Sequence, residues 1–343
     1  MNPKINVFAP ICVWGAGSWA SFTLSVLAGL GVRKLIVGGT PGSDQRRQRM
    51  QKLAGTFDAK LTLEPELLSQ TGCQGVILAL PPDQNLLYGK LFLKQGLDLF
   101  IQKPLATTYK DARELFDISV LEKRILMGGS DIRYRPDILK AKALIKQGYI
   151  GETRYLHGQF CHVLNSTGWR QDVFQDMGEH VVSVVRELMG TPEQVTLKRH
   201  GALSGQLYFE AASWFADARL SWESTRGDVP EITVEGTKGT LHLNTSRSSQ
   251  IDFHKVRKST DGNLGRMPQL RDWLTNPHEK MHCKGPHSYT RKLQEFLEAM
   301  VSRPPTTSFI EDLEGFHTIC EVLTSFNGVA ESRERKSNYG RFA

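Results

Sequence analysis

Between Ile11 and Met127 the chain alternates short apolar runs with longer amphipathic ones. The runs Ile11–Trp14, Lys34–Val37, Gly75–Leu80 and Leu97–Ile101 are followed by amphipathic stretches at 18–30, 44–54, 83–95 and 107–122, and a fifth run, Arg124–Met127, closes the series. This rhythm predicts parallel strands joined by helices that cover both faces of one sheet. Continuous runs such as Val76-Ile77-Leu78-Ala79-Leu80 fit strands buried on both sides, because a strand with one wet face alternates instead. After Gly128-Gly129 the period changes. One helix is predicted at about 136–147, ended by Gly148, and alternating stretches at Thr153–Cys161, Gln206–Phe215, Ala218–Trp222, Glu231–Glu235 and Thr240–Leu243 predict mostly antiparallel strands. Residues 231–243 read as a hairpin whose turn draws on Gly236 and Gly239 for backbone angles that other residues avoid. Residues 255–285 are polar and weakly periodic, which predicts a long loop, and helices are expected at 287–302 and 309–327. The fold class is α/β: a doubly wound domain over 1–127, then an α+β domain over 128–343. Two domains suit a chain of 343 residues, longer than one core usually organises.

Composition changes this picture little. With 40% hydrophobic and 23% charged residues the chain can bury a core. The net charge of +7 is spread along the chain, and its one dense basic run, Gln45–Arg49, reads as a solvated helix face. No nucleic-acid motif accompanies it, so a small anionic ligand is the expected partner rather than a nucleic acid. Residues 5–32 lack Asp, Glu, Lys and Arg and so resemble a signal peptide or membrane span, but Pro10, Gly15, Gly17, Gly29 and Gly31 and five interspersed Asn, Ser and Thr residues dilute their hydropathy. A buried strand, turn and helix is the expectation there, with no membrane association and a cytoplasmic location; export through this segment is the alternative. The five cysteines are widely spaced and form no C-x-x-C pair, which fits a reducing compartment. His278, His282, Cys283 and His287 crowd one polar segment but match no metal-ligand spacing, and no metal site is expected.

The chemistry begins at Gly15-Ala16-Gly17-Ser18-Trp19-Ala20, a G-x-G-x-x-A turn between a predicted strand and a predicted helix. Gly15 allows the tight turn, Gly17 lets the backbone approach a pyrophosphate, and Ala20 lets helix and strand pack closely. The second strand, Lys34 to Thr40, lacks the terminal carboxylate that would bind a bare adenosine ribose. Gly39 stands in its place, and Thr40, Ser43, Arg46 and Arg47 suit a 2′-phosphate, so NADP is expected, with NAD the alternative. Lys103 ends the strand Leu97–Gln102 just before Pro104, where open parallel sheets bind ligands. Farther on, Asp176 and His180 lie four residues apart on one helix face. Hydride transfer at a carbon bearing oxygen needs a matched proton transfer, for which histidine is suited, and a lysine ammonium stabilises the oxyanion.

These ordered motifs resemble the Gfo/Idh/MocA family of oxidoreductases over nearly the whole chain. The glycine motif matches residues 15–20, the family's Glu-Lys-Pro matches Gln102-Lys103-Pro104, its Arg-aromatic-x-Pro matches Arg133-Tyr134-Arg135-Pro136, its Asp-x-x-x-His matches Asp176 to His180, and its hairpin turn matches residues 236–239. The resemblance implies a dinucleotide-binding Rossmann domain over 1–127, a substrate-binding α+β domain over 128–343 with a large, open, mostly antiparallel sheet, homo-oligomers built on that sheet, and Lys103, Asp176 and His180 as catalytic residues. Leu80, Pro81 and Asn85, after the third long strand, and Gln102 and Lys103 would also meet the cofactor. Arg133, Tyr134, Trp169 and Arg170 are the expected contacts to a small-molecule substrate. Gln102 replaces the family's Glu, and Asn85 stands where a His often occurs. The expected function is hydride transfer between nicotinamide and a C–O carbon of a sugar, nucleotide sugar or cyclitol. Reduction of a C=N bond or conjugated system, and a non-catalytic nucleotide sensor, are the alternatives.

Overall fold

The computed structural model describes residues 9–40, 42–161, 173–201, 203–223, 229–244, 250–255, 279–283, 285, 287–303 and 313–323. The chain divides into two compact units, Met1–Ser130 with Tyr289–His317, and Asp131–Ser288 with Thr318–Ala343.

The first unit carries six parallel strands, β1 (Ile11–Trp14), β2 (Leu35–Gly38), β3 (Lys60–Thr62), β4 (Gly75–Leu78), β5 (Asp98–Gln102) and β6 (Leu126–Gly129), in the order β3-β2-β1-β4-β5-β6. That order is the doubly wound dinucleotide-binding topology, with its switch point between β1 and β4. The apolar rhythm anticipates every strand except β3, which has three residues and exposed Lys60 and Leu61, and therefore no apolar run. Helices α1 (Ser18–Gly29) and α2 (Asp44–Thr56) pack on the sheet face that carries Val13, Val37, Ile77, Phe100 and Met127. Helices α3 (Pro82–Lys94) and α4 (Tyr109–Leu121) cover the other face, close enough that a Cβ at Gly89 would lie 2.6 Å from Leu115.

A division read along the chain does not anticipate the last layer. Helix α7 (Ser288–Ser302) returns from far down the chain to join α1, burying Tyr289, Leu293, Phe296 and Leu297 in the same core. Phe100 of β5 meets the rings of Tyr289 and Phe296 edge-on, with centroids 6.1 and 5.5 Å away. Both ends of the helix are pinned. Near its start, fully buried Lys292 donates from Nζ to the carbonyl of Gly128 and, at 2.9 Å, to that of Ser130, just beyond β6. Just past its end, Arg303 pairs at 2.6 Å with the buried Asp98 carboxylate at the start of β5. The helix therefore runs antiparallel to the strands.

The second unit holds eight strands, β7 (Thr153–Cys161), β8 (Gln194–Arg199), β9 (Ser204–Ala211), β10 (Trp214–Ser221), β11 (Val229–Gly236), β12 (Gly239–Asn244), β13 (Gln250–Lys255) and β14 (Glu279–His282), ordered β14-β13-β12-β11-β7-β10-β9-β8. Among the described residues, only the β7–β10 pair of this sheet is parallel. One face buries Leu156, Phe209, Ala218, Val234 and Leu241 against helix α5 (Pro136–Lys146), helix α6 (Val173–Met189) and a further helix, α8, over 313–323. The run expected as a single strand over 206–215 instead contains a turn at Ala212-Ser213, which carries no Gly or Pro to mark it. Strand β14 lies inside the expected 255–285 loop, of which 256–278 fall outside the described residues. The hairpin turn at residues 237–238 is present, but its glycines serve a different purpose from the one expected. Neither has a positive φ; instead a Cβ at Gly236 would overlap the Ile150 carbonyl, and one at Gly239 would lie 2.6 Å from the Phe253 ring. Close approach, not backbone angle, requires them.

No helix among the described residues is long and apolar enough to cross a membrane, and the five thiols form no disulfide. On the sheet face opposite the helices, Asp217 of β10 accepts from the Tyr155 hydroxyl and lies 2.9 Å from His157 Nδ1 on β7. The bond to Asp217 raises the His157 pKa against the effect of burial. Burial works to raise that of Asp217, but the bonds from His157 and Tyr155 outweigh it and hold the carboxyl below its ordinary value.

Two predictions follow from these contacts. Lys292→Met leaves buried carbonyls without their donor and lowers stability by about 1–3 kcal/mol, measurable by urea denaturation. For His157, a raised folded pKa contributes stability that is complete below the ordinary histidine value and is lost as pH rises through the folded one. The lowered pKa of Asp217 contributes stability above the ordinary carboxyl value that is lost as pH falls through the folded one. Asp217→Asn is therefore expected to destabilise more at about pH 5.5 than at about pH 8.5, on either side of the histidine titration. Equal losses at both pH values would contradict this account.

Candidate functional site

Strand β1 delivers Gly15 to the switch point. Its φ is 150°, and a Cβ there would overlap the Ala79 carbonyl at the end of β4, so only glycine fits the turn. Gly17 is the N-cap of α1 and the first turn has no acid; among the described residues nothing lies within 4 Å of where a Cβ on Gly17 would stand, and no side chain caps the helix. Uncapped N–H groups and the positive end of the helix dipole thus face open space, the arrangement that receives a phosphate. Ala20 is buried, Ala16 half-buried, and Ser18 and Trp19 exposed.

At the end of β2, a Cβ on Gly39 would lie 2.7 Å from Sδ of buried Met50, so a side chain here would require Met50 to move. Ser43 Oγ caps α2, accepting from the Arg46 N–H at 3.3 Å, which leaves its hydroxyl hydrogen to donate. Arg46 is half-buried and Arg47 exposed. Thr40 shares a hydrogen bond with the hydroxyl of Tyr88, which α3 presents with its ring 5.6 Å from that of Trp14. Nothing local to either residue signals this contact across 48 positions.

At the end of β5, Gln102 is buried, and its Nε2 has no hydrogen-bond partner among the described residues. Lys103 is half-buried and precedes a cis peptide to Pro104. Asn85, expected at the cofactor, directs Nδ2 to the carbonyls of Pro104 and Leu105 at 3.2 and 3.3 Å, while its buried Oδ1 has no partner among the described residues. Its amide therefore holds the turn that follows Lys103. Leu80 is half-buried and Pro81 exposed at the start of α3. The first unit thus gathers every expected cofactor residue at the carboxyl ends of its strands or at the helix starts that follow them.

In the second unit, Arg133 and Tyr134 lie in a short turn, Ile132–Tyr134. Both are buried, with the guanidinium 5.2 Å from the Tyr134 ring centroid and 3.4 Å from its hydroxyl. Asp176 and His180 are half-buried on successive turns of α6, beside buried Met177, Val181, Val184 and Leu188. Gly178 lets α8 approach, since a Cβ there would lie 2.7 Å from Ile319. Buried Glu179 was not singled out from the sequence. Trp169 and Arg170 lie outside the described residues.

A glycine turn at the switch point of a 3-2-1-4-5-6 sheet defines a dinucleotide-binding scaffold, and comparison with known proteins identifies the kind. Residues 37–130 match an oxidoreductase family with an NAD-binding Rossmann fold, and residues 138–242 match the GFO/IDH/MocA C-terminal domain. The chain belongs to the GFO/IDH/MocA family of oxidoreductases. An uncharacterized oxidoreductase of Schizosaccharomyces pombe is 28% identical over 141 residues, covering 39% of this chain and 38% of that protein's length. Among solved structures, the UDP-N-acetylglucosamine 3-dehydrogenase GnnA of Acidithiobacillus ferrooxidans superposes with a TM-score of 0.74 at 13% identity, over 92% of this chain and 97% of that one. The 3-ketoreductase KijD10 of Actinomadura kijaniata, solved with NADP, gives 0.72 at 16% identity over 92% and 96%. At these identities the likeness is one of fold.

The residues present fit a nicotinamide dinucleotide: among the described residues the space beside Gly17 is open, α1 is uncapped, and buried Gln102, next to Lys103 in the chain, has an amide nitrogen without a partner. Loss of the Asn85 amide is expected to act through the Lys103 turn. Asn85→Ala should lower turnover about tenfold, a barrier change of about 1.4 kcal/mol, while NADPH affinity in a fluorescence titration stays within about twofold. A fall in affinity alone would instead place Asn85 on the cofactor.

Proposed function

We propose that the protein transfers hydride between NADP and a carbon bearing oxygen in a sugar, nucleotide sugar or cyclitol. The observation that carries this reading is the joint placement, in the first unit, of an uncapped helix N-terminus facing open space at Gly17 and of Lys103 just beyond β5. The bound nicotinamide supplies or accepts the hydride. In this reading His180 exchanges the accompanying proton with the substrate oxygen, Asp176 orients the imidazole one turn away, and the Lys103 ammonium stabilises negative charge on that oxygen. The UDP-N-acetylglucosamine 3-dehydrogenase activity named for GnnA supports the substrate class, and the 3-ketoreductase activity named for KijD10 supports chemistry at a carbon bearing oxygen.

The choice of NADP rests on the end of β2. Gly39 supplies no carboxylate to repel a 2′-phosphate, Thr40 and Ser43 supply hydroxyls, and Arg46 and Arg47 supply positive charge in the first turns of α2. The purified protein is expected to bind NADPH at least about tenfold more tightly than NADH, a difference of about 1.4 kcal/mol, and Arg46→Ala should narrow the gap. Equal or tighter NADH binding overturns the cofactor assignment. Lys103→Ala and His180→Ala should each reduce turnover by about 10²–10⁴ on a substrate found by screening sugars and nucleotide sugars. Wild-type turnover in both variants would sink the catalytic assignment.

A further inference from the structure

Trp19 stands in the glycine motif, in the first turn of α1, and is 44% exposed although it is the largest apolar side chain of that helix. Its indole is nonetheless held in place. It stacks on Phe22 at 5.1 Å with 12° between planes, and on Tyr289 of α7 at 5.3 Å with 16°. Phe22 and Tyr289 stack on each other at 5.4 Å, and the Tyr289 hydroxyl is fixed by a 2.8 Å hydrogen bond with Thr23 in the interior. A stacked and buttressed ring that still shows almost half its surface is presenting a face.

The supports place that face. Tyr289 packs edge-on against Phe100 of β5, and Phe100 and Gln102 lie two residues apart on the same side of that strand, with Lys103 next in the chain. Lys292, one turn along α7 from Tyr289, grips the end of β6. Trp19 therefore leans from the glycine turn toward the β4–β5–β6 half of the sheet, away from the β2 end where Gly39, Thr40 and Arg46 lie. In a doubly wound sheet each half takes one mononucleotide, so the half opposite the adenosine end takes the nicotinamide.

We propose that Trp19 is the stacking wall for the nicotinamide ring and that Tyr289, supplied by the returning helix, is the residue that positions it. This rests on the dinucleotide reading and extends it. The oxidised ring is a cation, and indole is the side chain that attracts a cation most strongly through its face, so Trp19 favours the oxidised cofactor over the reduced one. The oxidised ring also accepts an electron from an excited indole it touches, so contact quenches Trp19 emission.

The test compares the wild type with Trp19→Phe and Trp19→Ala, using calorimetry and tryptophan fluorescence with NADP⁺, NADPH, nicotinamide mononucleotide and adenosine 2′,5′-bisphosphate. Circular dichroism checks that each variant is folded. NADP⁺ and the mononucleotide are expected to quench the wild type, with most of that quenching lost in Trp19→Phe, while adenosine 2′,5′-bisphosphate quenches neither. Trp19→Ala should weaken NADP⁺ binding about tenfold, NADPH binding by less, and the adenosine bisphosphate not at all. Tyr289→Leu, which keeps Trp19 but removes its support, should reproduce part of the loss. The same quenching and affinity in wild type and Trp19→Ala, with saturable binding of NADP⁺, overturn the wall while leaving the dinucleotide site intact. Absence of any calorimetric binding by the wild type overturns both.

Discussion

A parallel sheet whose strands carry apolar residues on both sides cannot leave either face wet. Between Ile11 and Ser130 the chain supplies α3 and α4 for one face, and α1 and α2 for the β1–β2 part of the other. Phe100, Ile125 and Met127, on the β5–β6 part of that second face, would remain in water. Burying side chains of this size is worth roughly 1.5–3 kcal/mol each, comparable with a sizeable fraction of a domain's net stability. Helix α7 meets that demand, and much of the rest follows from it. The first unit becomes discontinuous in sequence, Lys292 finds backbone acceptors at the end of β6, and Arg303 neutralises an Asp98 carboxylate that would otherwise be buried as an isolated charge.

The same helix reaches the chemistry. Tyr289 is at once a core residue against Phe100 and the support of Trp19, so the packing that closes the sheet also sets an aromatic face beside the glycine turn. Around Lys103 the division of labour is similar. Asn85 of α3 spends both amide hydrogens on the backbone that follows the lysine, and Gln102 keeps a buried donor unpaired among the described residues. An unpaired buried donor is costly, about 1–3 kcal/mol, and such groups are rare outside sites that gain a partner on binding. A neutral amide at position 102 also leaves Lys103 without the adjacent carboxylate that the family pattern places there.

In the second unit helix α6 buries most of its residues, and Asp176 and His180 occupy a half-buried strip of it. Gly178, between them, serves packing rather than chemistry, because it admits Ile319 from α8. The polar face of the eight-stranded sheet has its own order, with Asp217 joining Tyr155 and His157 across the parallel β7–β10 pair.

What the sequence determined alone is whatever depends on near neighbours along the chain. The period of apolar positions was sufficient for five of the six parallel strands and for the change of architecture after Gly129, since burial on two faces or one writes itself directly into the pattern. The glycine turn was equally legible, because φ at Gly15 and the open side of Gly17 are local requirements. Only the tertiary structure decided the remainder. The short edge strand β3 and the Ala212-Ser213 turn carry too little local signal to be seen. Gly236 and Gly239 are required by atoms of Ile150 and Phe253 rather than by their own torsions, and the pairs Thr40–Tyr88, Trp19–Tyr289 and Lys292–Ser130 join residues whose proximity no local rule encodes. Which far segment covers an apolar face is settled by competition among all the surfaces the chain can bury, and that competition exists only in three dimensions.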